Sequence, residues 1–167
     1  MATILHREKT AHTSGELPSI GKAAPDFRLT KSDLKDVSLG DFHGKRIVLN
    51  IFPSIDTSTC ATSVRKFNAL ASAMENTVVL CISKDLPFAM KRFCIAEGLD
   101  NVVCLSQYKD QSFSENYNVD IVDGSSLIGL MARAIVVIDE NGVVAHHELV
   151  SDISHEPNYD AVLGHLN

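Results

Sequence analysis

The chain has 167 residues, 45% of them hydrophobic and 22% charged, with a formal net charge of −6. That length and composition suit one soluble globular domain, taken as residues 1–167, with a sizeable buried core. The acidic balance and the scattered bases, none in a run longer than two, exclude the basic stripe of a nucleic-acid-binding surface. No stretch approaches the roughly 18 apolar residues of a membrane span. Met1 to Arg7 lacks the apolar core of a signal peptide. Ala2 stands where myristoylation requires Gly. The expected compartment is the cytoplasm, with the periplasm as the alternative.

Residues 3–13 alternate in short pieces around Arg7-Glu8-Lys9 and predict a terminal hairpin closed off by Ser14-Gly15. Pro18 to Pro25 reads as a loop, and Asp26 to Thr30 as a short edge strand. Gly40 and Gly44 punctuate the chain before an apolar strand over 46–52. Residues 59–75 place Cys60, Val64, Phe67, Ala71 and Met74 on one helical face. A strand follows over 77–83. A helix over about 86–97 opens on Pro87, which a first turn tolerates, and closes at Gly98. A strand over 102–105 and a short helix around 111–117 come next. The segments 134–138 and 143–150 are joined by Asp139-Glu140-Asn141-Gly142 and read as a hairpin. A final helix covers about 157–166. This order of strands and helices predicts an α/β fold, a mixed central sheet flanked by helices.

Four cysteines occur, too few for a disulfide-stapled scaffold and in no C-x-x-C spacing. Cys81 and Cys104 lie in continuous apolar strands and read as buried small hydrophobes. Cys60 stands apart. It begins a helix directly after the strand 46–52 and the loop Pro53-Ser54-Ile55-Asp56-Thr57. Free backbone N–H groups and the positive end of the helix dipole favour an anionic sulfur there. Thr57 reaches the same corner or serves as a helix cap, and Pro53 shapes the pocket or simply ends the strand. Arg133 sits between two apolar stretches, where a guanidinium is costly unless paired or employed. A strand-edge position facing water is its other reading. Cys94 shares a helical face with Met90 and is a core position by default.

Pro53-x-x-x-Thr57-x-x-Cys60 matches the active-site motif of the peroxiredoxins, and the element order resembles the thioredoxin fold with an N-terminal β-hairpin extension. Asn50 to Thr57, Ser63 to Asn68, Asp85 to Phe88, Arg92-Phe93-Cys94 and Ala132-Arg133-Ala134 resemble the bacterial thiol peroxidase branch, so the similarity spans essentially the whole chain. The resemblance implies a peroxidase of hydrogen peroxide and organic hydroperoxides. In it Cys60 is the attacking thiolate, which becomes a sulfenic acid, and Cys94 is the resolving thiol that forms an intramolecular disulfide with it. Thr57, Pro53 and Arg133 then line the peroxide site. It implies no cofactor beyond the Cys60–Cys94 disulfide, with thioredoxin as the external reductant approaching near Leu86, Pro87 and Phe88, and a homodimer. A bridge needs Cα atoms within about 7 Å, so two cysteines on separate helices are expected to meet only after local unwinding.

Two rival classes remain at this point: a protein thiol–disulfide oxidoreductase, and a non-enzymatic redox sensor or chaperone on the same scaffold. Cys60-Ala61-Thr62-Ser63 lacks the second Cys of a local dithiol, which counts against the first. No metal site is expected. His146 and His147 are neighbours on a strand and face opposite sides, and His6 and His12, which could meet across a hairpin, read as polar side chains facing water. Gly124-Ser125-Ser126 resembles a phosphate-binding turn only loosely.

Overall fold

A computed structural model describes residues 1–166. Its central sheet has seven strands in the order β10-β9-β5-β6-β7-β3-β4. These are β3 (Arg28–Lys31), β4 (Asp36–Ser38), β5 (Arg46–Ile51), β6 (Thr77–Ser83), β7 (Val103–Ser106), β9 (Ala134–Ile138) and β10 (Val144–Leu149). β5, β6 and β7 run parallel, while β9 pairs antiparallel with β5 and β3 antiparallel with β7. The sheet is mixed, as the element order requires. A smaller sheet joins the N-terminal hairpin, β1 (Thr3–His6) and β2 (Lys9–Thr13), to β8 (Ile121–Asp123).

Period-two alternation sorts each central strand between two cores. Ile47, Leu49 and Ile51 of β5 enter one cluster together with Phe113 and Tyr117 of α3 (Ser112–Tyr117). Val48 points the other way. It joins Val79, Cys81 and Cys104 beneath α1 (Ser58–Ala71), α2 (Pro87–Glu97) and α4 (Tyr159–Gly164). Cys60, Val64 and Phe67 form the buried stripe of α1 with no exposed surface, as the helical spacing predicts.

The departures from expectation have local causes. α1 ends at Ala71 rather than 75. Ala73 and Met74 donate to Leu70 and Ala71, three residues back, and Asn76 then takes φ 47°. A tightened turn followed by a left-handed residue ends the helix, although Met74 still reaches the core. The Asp26–Thr30 strand begins at Arg28 and is not an edge. The edge is β4, whose three residues carry too little periodicity to be read, and β8 is missed for the same reason. Gly98 caps α2 in the left-handed conformation at φ 66°. Gly124 follows β8 at φ 73°, where an added Cβ would fall 2.2 Å from the Thr10 carbonyl oxygen, so this turn admits only glycine.

Candidate active site

The loop from Phe52 to Thr57 carries the chain from the central strand β5 into the first turn of α1, so Cys60 is fixed by the middle of the sheet. Cys60 is fully buried. Its own carbonyl accepts from Ser63 Oγ at 2.8 Å, and Ser63 lies 3.4 Å from Asn50 Nδ2 on β5, which locks the start of α1 to the strand beneath. Thr57 is the N-cap by backbone, at φ −90° and ψ 146°, yet its side chain caps nothing. Its hydroxyl donates instead to the Ser54 carbonyl at 3.0 Å. The proton is committed, and the oxygen lone pairs are free to accept.

Arg133 precedes β9, the strand antiparallel to β5, so sheet register brings it beside Cys60 across 73 positions of sequence. Its Nη2 donates to Cys60 Sγ at 3.3 Å, and its Nε donates to the Ile153 carbonyl at 2.9 Å. The residue is only 1% exposed, which overturns the water-facing reading. Among the described residues no carboxylate pairs with it, and its Nη1 is buried without a partner. An unpaired guanidinium is costly in such a place. The Cys60 sulfur is the side-chain acceptor it has found, and its Nη1 is left without one.

A cavity of about 410 Å³ opens above this arrangement, lined by Pro53, Thr57, Arg133, Leu127 and Ile153 among others. The sulfur itself lies beneath that lining, with no exposed surface. Three of the sequence candidates, Pro53, Thr57 and Arg133, therefore share one chamber, with Cys60 behind its wall.

Cys94 is elsewhere. It is half-buried on α2, and its sulfur meets Cys104 Sγ on β7 at 3.1 Å rather than Cys60. All four cysteines are free thiols. The hydrogen bond to Cys104, with burial second, pushes the Cys94 thiol well up from its ordinary range. Cys104 is also pushed up, by its hydrogen bond to Cys81 and by burial, against an opposing effect of Cys94. Cys104 is buried as expected, but its contact with Cys94 had no sign in the sequence. Pairing between an α-helix and the strand after it depends on how the helix is rotated.

Two further supports went unread. Asp85, between β6 and α2, accepts from Ser54 Oγ and from the Ile55 N–H, each at 2.8 Å, and from Ser83 Oγ. One carboxylate thus ties the Cys60 loop to the root of the Cys94 helix. Its local signal, an acidic residue just before Leu86-Pro87, marks a turn and nothing more. The N-terminal hairpin is the second support. Leu5 donates to the Ser151 carbonyl at 2.7 Å and accepts from the Ile153 N–H at 2.9 Å, so it holds the loop whose carbonyl aims Arg133.

Of the histidines, only His6 lines the cavity. His6 bonds Ser125 and His12 bonds Asp123, each at 2.7 Å, so the two do not meet. His146 stacks on His165 while His147 turns to the Pro18 carbonyl, opposite faces as expected. Among the described residues no group of three or more His, Cys, Asp or Glu is placed to hold a metal ion.

The Redoxin family model matches residues 19–163. The chain is 55% identical to a thiol peroxidase of Corynebacterium glutamicum over 155 residues, 93% of each chain. It is also 55% identical to a thiol peroxidase of Mycobacterium bovis over 166 residues, 99% of each. A peroxiredoxin-like protein from Aquifex aeolicus superposes with a TM-score of 0.93 at 35% identity, covering 99% of this chain and 96% of that one. With a thiol at the root of α1 and an arginine from the neighbouring strand upon it, in a thioredoxin-like fold, the chain belongs to the Redoxin family, in its thiol peroxidase branch.

Proposed function

We infer that this chain is a thiol-dependent peroxidase in which Cys60 attacks hydroperoxides and Cys94 resolves the product. The observation that carries the site assignment is the 3.3 Å donation from a buried, carboxylate-free Arg133 to the Cys60 sulfur. A hydroperoxide enters the chamber of Pro53, Thr57 and Arg133, and a small outward shift of the first turn of α1 bares the sulfur to it. Thr57 Oγ accepts a hydrogen bond from the hydroxyl of the peroxide. The free Nη1–H of Arg133 donates to its oxygens. The thiolate attacks the terminal oxygen, the O–O bond breaks, and the leaving alkoxide takes a proton from solvent to depart as an alcohol, or as water when the substrate is hydrogen peroxide. Cys60 is left as a sulfenic acid. Donors aimed at the charge that develops on the departing oxygen are typically worth about 3 kcal/mol each.

The Cys94 thiol then displaces water from the sulfenic acid and forms the Cys60–Cys94 disulfide. In the reduced fold the two sulfurs have different partners, Arg133 and Cys104. Resolution therefore needs the first turn of α1 and part of α2 to unwind. A thioredoxin-type dithiol would return both cysteines to thiols. Leu86 and Phe88, which are 53% and 64% exposed at the start of α2, supply an apolar place for it to dock, whereas Pro87 is buried. We place the protein in the cytoplasm, as a homodimer.

Peroxide consumption coupled to thioredoxin tests the reading. Wild-type protein should turn over continuously, Cys60→Ser should not turn over at all, and Cys94→Ser should form the sulfenic acid without sustained recycling. Undiminished turnover in Cys60→Ser would falsify it. Reduction of a protein disulfide with no peroxide present would favour the oxidoreductase class, and turnover that stalls despite excess reductant would favour a sensor.

A further inference from the structure

We propose that Cys104 is a second resolving thiol, which takes over the disulfide from Cys60 and stores it as a Cys94–Cys104 bridge. This rests on the peroxidase reading above. The Cys94 and Cys104 sulfurs are 3.1 Å apart while each residue sits within an intact element, α2 and β7. Closing them to a bond of about 2.0 Å takes a shift of roughly one ångström and no unwinding. The Cys60–Cys94 bridge is the reverse case, since it can exist only with helix turns undone.

The exchange follows from that contrast. The Cys60 sulfenic acid condenses with the Cys94 thiol, forming one S–S bond and releasing water. Drawing Cys94 toward Cys60 lifts α2 from β7 and uncovers Cys104, which in the closed fold is 5% exposed. The Cys104 sulfur attacks the Cys94 sulfur, so the Cys94–Cys104 bond forms as the Cys60–Cys94 bond breaks. Cys60 leaves as thiolate, and the proton from Cys104 passes to solvent or to Cys60. No further oxidant is consumed, because the hydroperoxide has already supplied the two-electron oxidation. Both helices can then refold over the new bridge, and the recovered helical hydrogen bonds and apolar packing drive the exchange forward. Asn50, Cys81 and Cys104 follow one another across β5, β6 and β7 in register, so the storing thiol stays fixed in the sheet while α2 lifts and returns.

Two measurements without any reductant test this. Reduced protein is given one equivalent of hydroperoxide, quenched by alkylation over time, and its disulfide peptides are mapped. A Cys60–Cys94 bridge should appear first and give way to Cys94–Cys104 with return of alkylatable Cys60. Peroxide titration should then show wild type consuming about two equivalents and Cys104→Ser about one, a twofold difference, with Cys104→Ala repeating the result if serine disturbs the core. A Cys60–Cys94 bridge that persists unchanged in wild type, or a bridge from Cys104 to Cys81, overturns the proposal and leaves the peroxidase reading standing. Absence of the Cys60–Cys94 bridge in both wild type and Cys104→Ser overturns the resolving role of Cys94 as well.

Discussion

In the proposed mechanism Arg133 and Thr57 supply what Cys60 alone does not have, each in a distinct, checkable way. Arg133 supplies charge and a planar fork: one arm reaches the sulfur, the Nε–H is anchored on Ile153, and the remaining arm is unengaged. Arg133→Gln removes the charge and the fork together. Its kcat/KM for hydroperoxide should fall about 100- to 1,000-fold, as for loss of a donor aimed at developing charge. Arg133→Lys keeps the charge and loses the geometry, so it should recover only part of the loss. Stopped-flow rates of the first oxidation decide the matter, and an unimpaired Arg133→Gln would sink the assignment. Thr57 acts through oxygen, its proton already being given to Ser54. Thr57→Val should slow the same step about tenfold, the worth of one hydrogen bond of roughly 1.4 kcal/mol, and Thr57→Ser should retain most of the rate. An unimpaired Thr57→Val beside an impaired Thr57→Ser would mean that the methyl group matters and the hydroxyl does not.

On the proposed route to the Cys60–Cys94 bridge the first turn of α1 and part of α2 unwind, and both elements are tied to one carboxylate. Asp85 accepts from the Cys60 loop through Ser54 and Ile55 and from the end of β6 through Ser83. Asp85→Ala would strand a partly buried backbone N–H and two hydroxyls, at a cost on the order of 2–3 kcal/mol. Urea unfolding should show this as a lowered midpoint at unchanged slope. Oxidation should act more locally. In the Cys60–Cys94 form, trapped in Cys104→Ser, hydrogen exchange should accelerate over residues 58–63 and 87–97 while β5 and β6 keep their protection. Equal protection of both helices in the reduced and bridged forms would exclude unwinding as the route by which the two cysteines meet.

The molecule as a whole should be most stable between acid and alkaline limbs set by different groups. On the acid side, His146 is held below its usual range by burial and by the neighbouring His165. A depressed histidine favours the neutral fold, so its contribution is present above the ordinary value of 6.5 and is lost as pH falls through the lower folded value. Asp36, held down to about 2 by Lys109 and Thr30, adds a second loss between 3.8 and about 2. On the alkaline side, Cys94 and Cys104 are held above the ordinary thiol value of 9.0. Their contribution is complete below that value and is lost as pH rises past it. Urea midpoints measured from pH 5 to 10 should trace a plateau bounded near 6.5 and 9. His146→Gln should flatten the upper part of the acid limb, and Cys104→Ala the alkaline one. Limbs unchanged in these variants would assign them to other groups.

Much of the fold and the centre of the site were legible because their signals are local. The apolar runs in 46–52 and 134–138, the stripe of Cys60, Val64 and Phe67, Pro87 opening α2 and Gly98 closing it all act within a few residues, and such patterns survive folding. The motif ending in Cys60 is likewise one strand–loop–helix corner. What the tertiary structure decided are contacts across long separations: Arg133 on Cys60 through the β5–β9 register, Asp85 joining two loops, Leu5 bracing the strap behind Arg133, and Cys94 against Cys104. Local periodicity says which face of an element is buried. It does not say which residue of another element will be found there, because that depends on strand order, register and helix rotation, set only when the whole core packs.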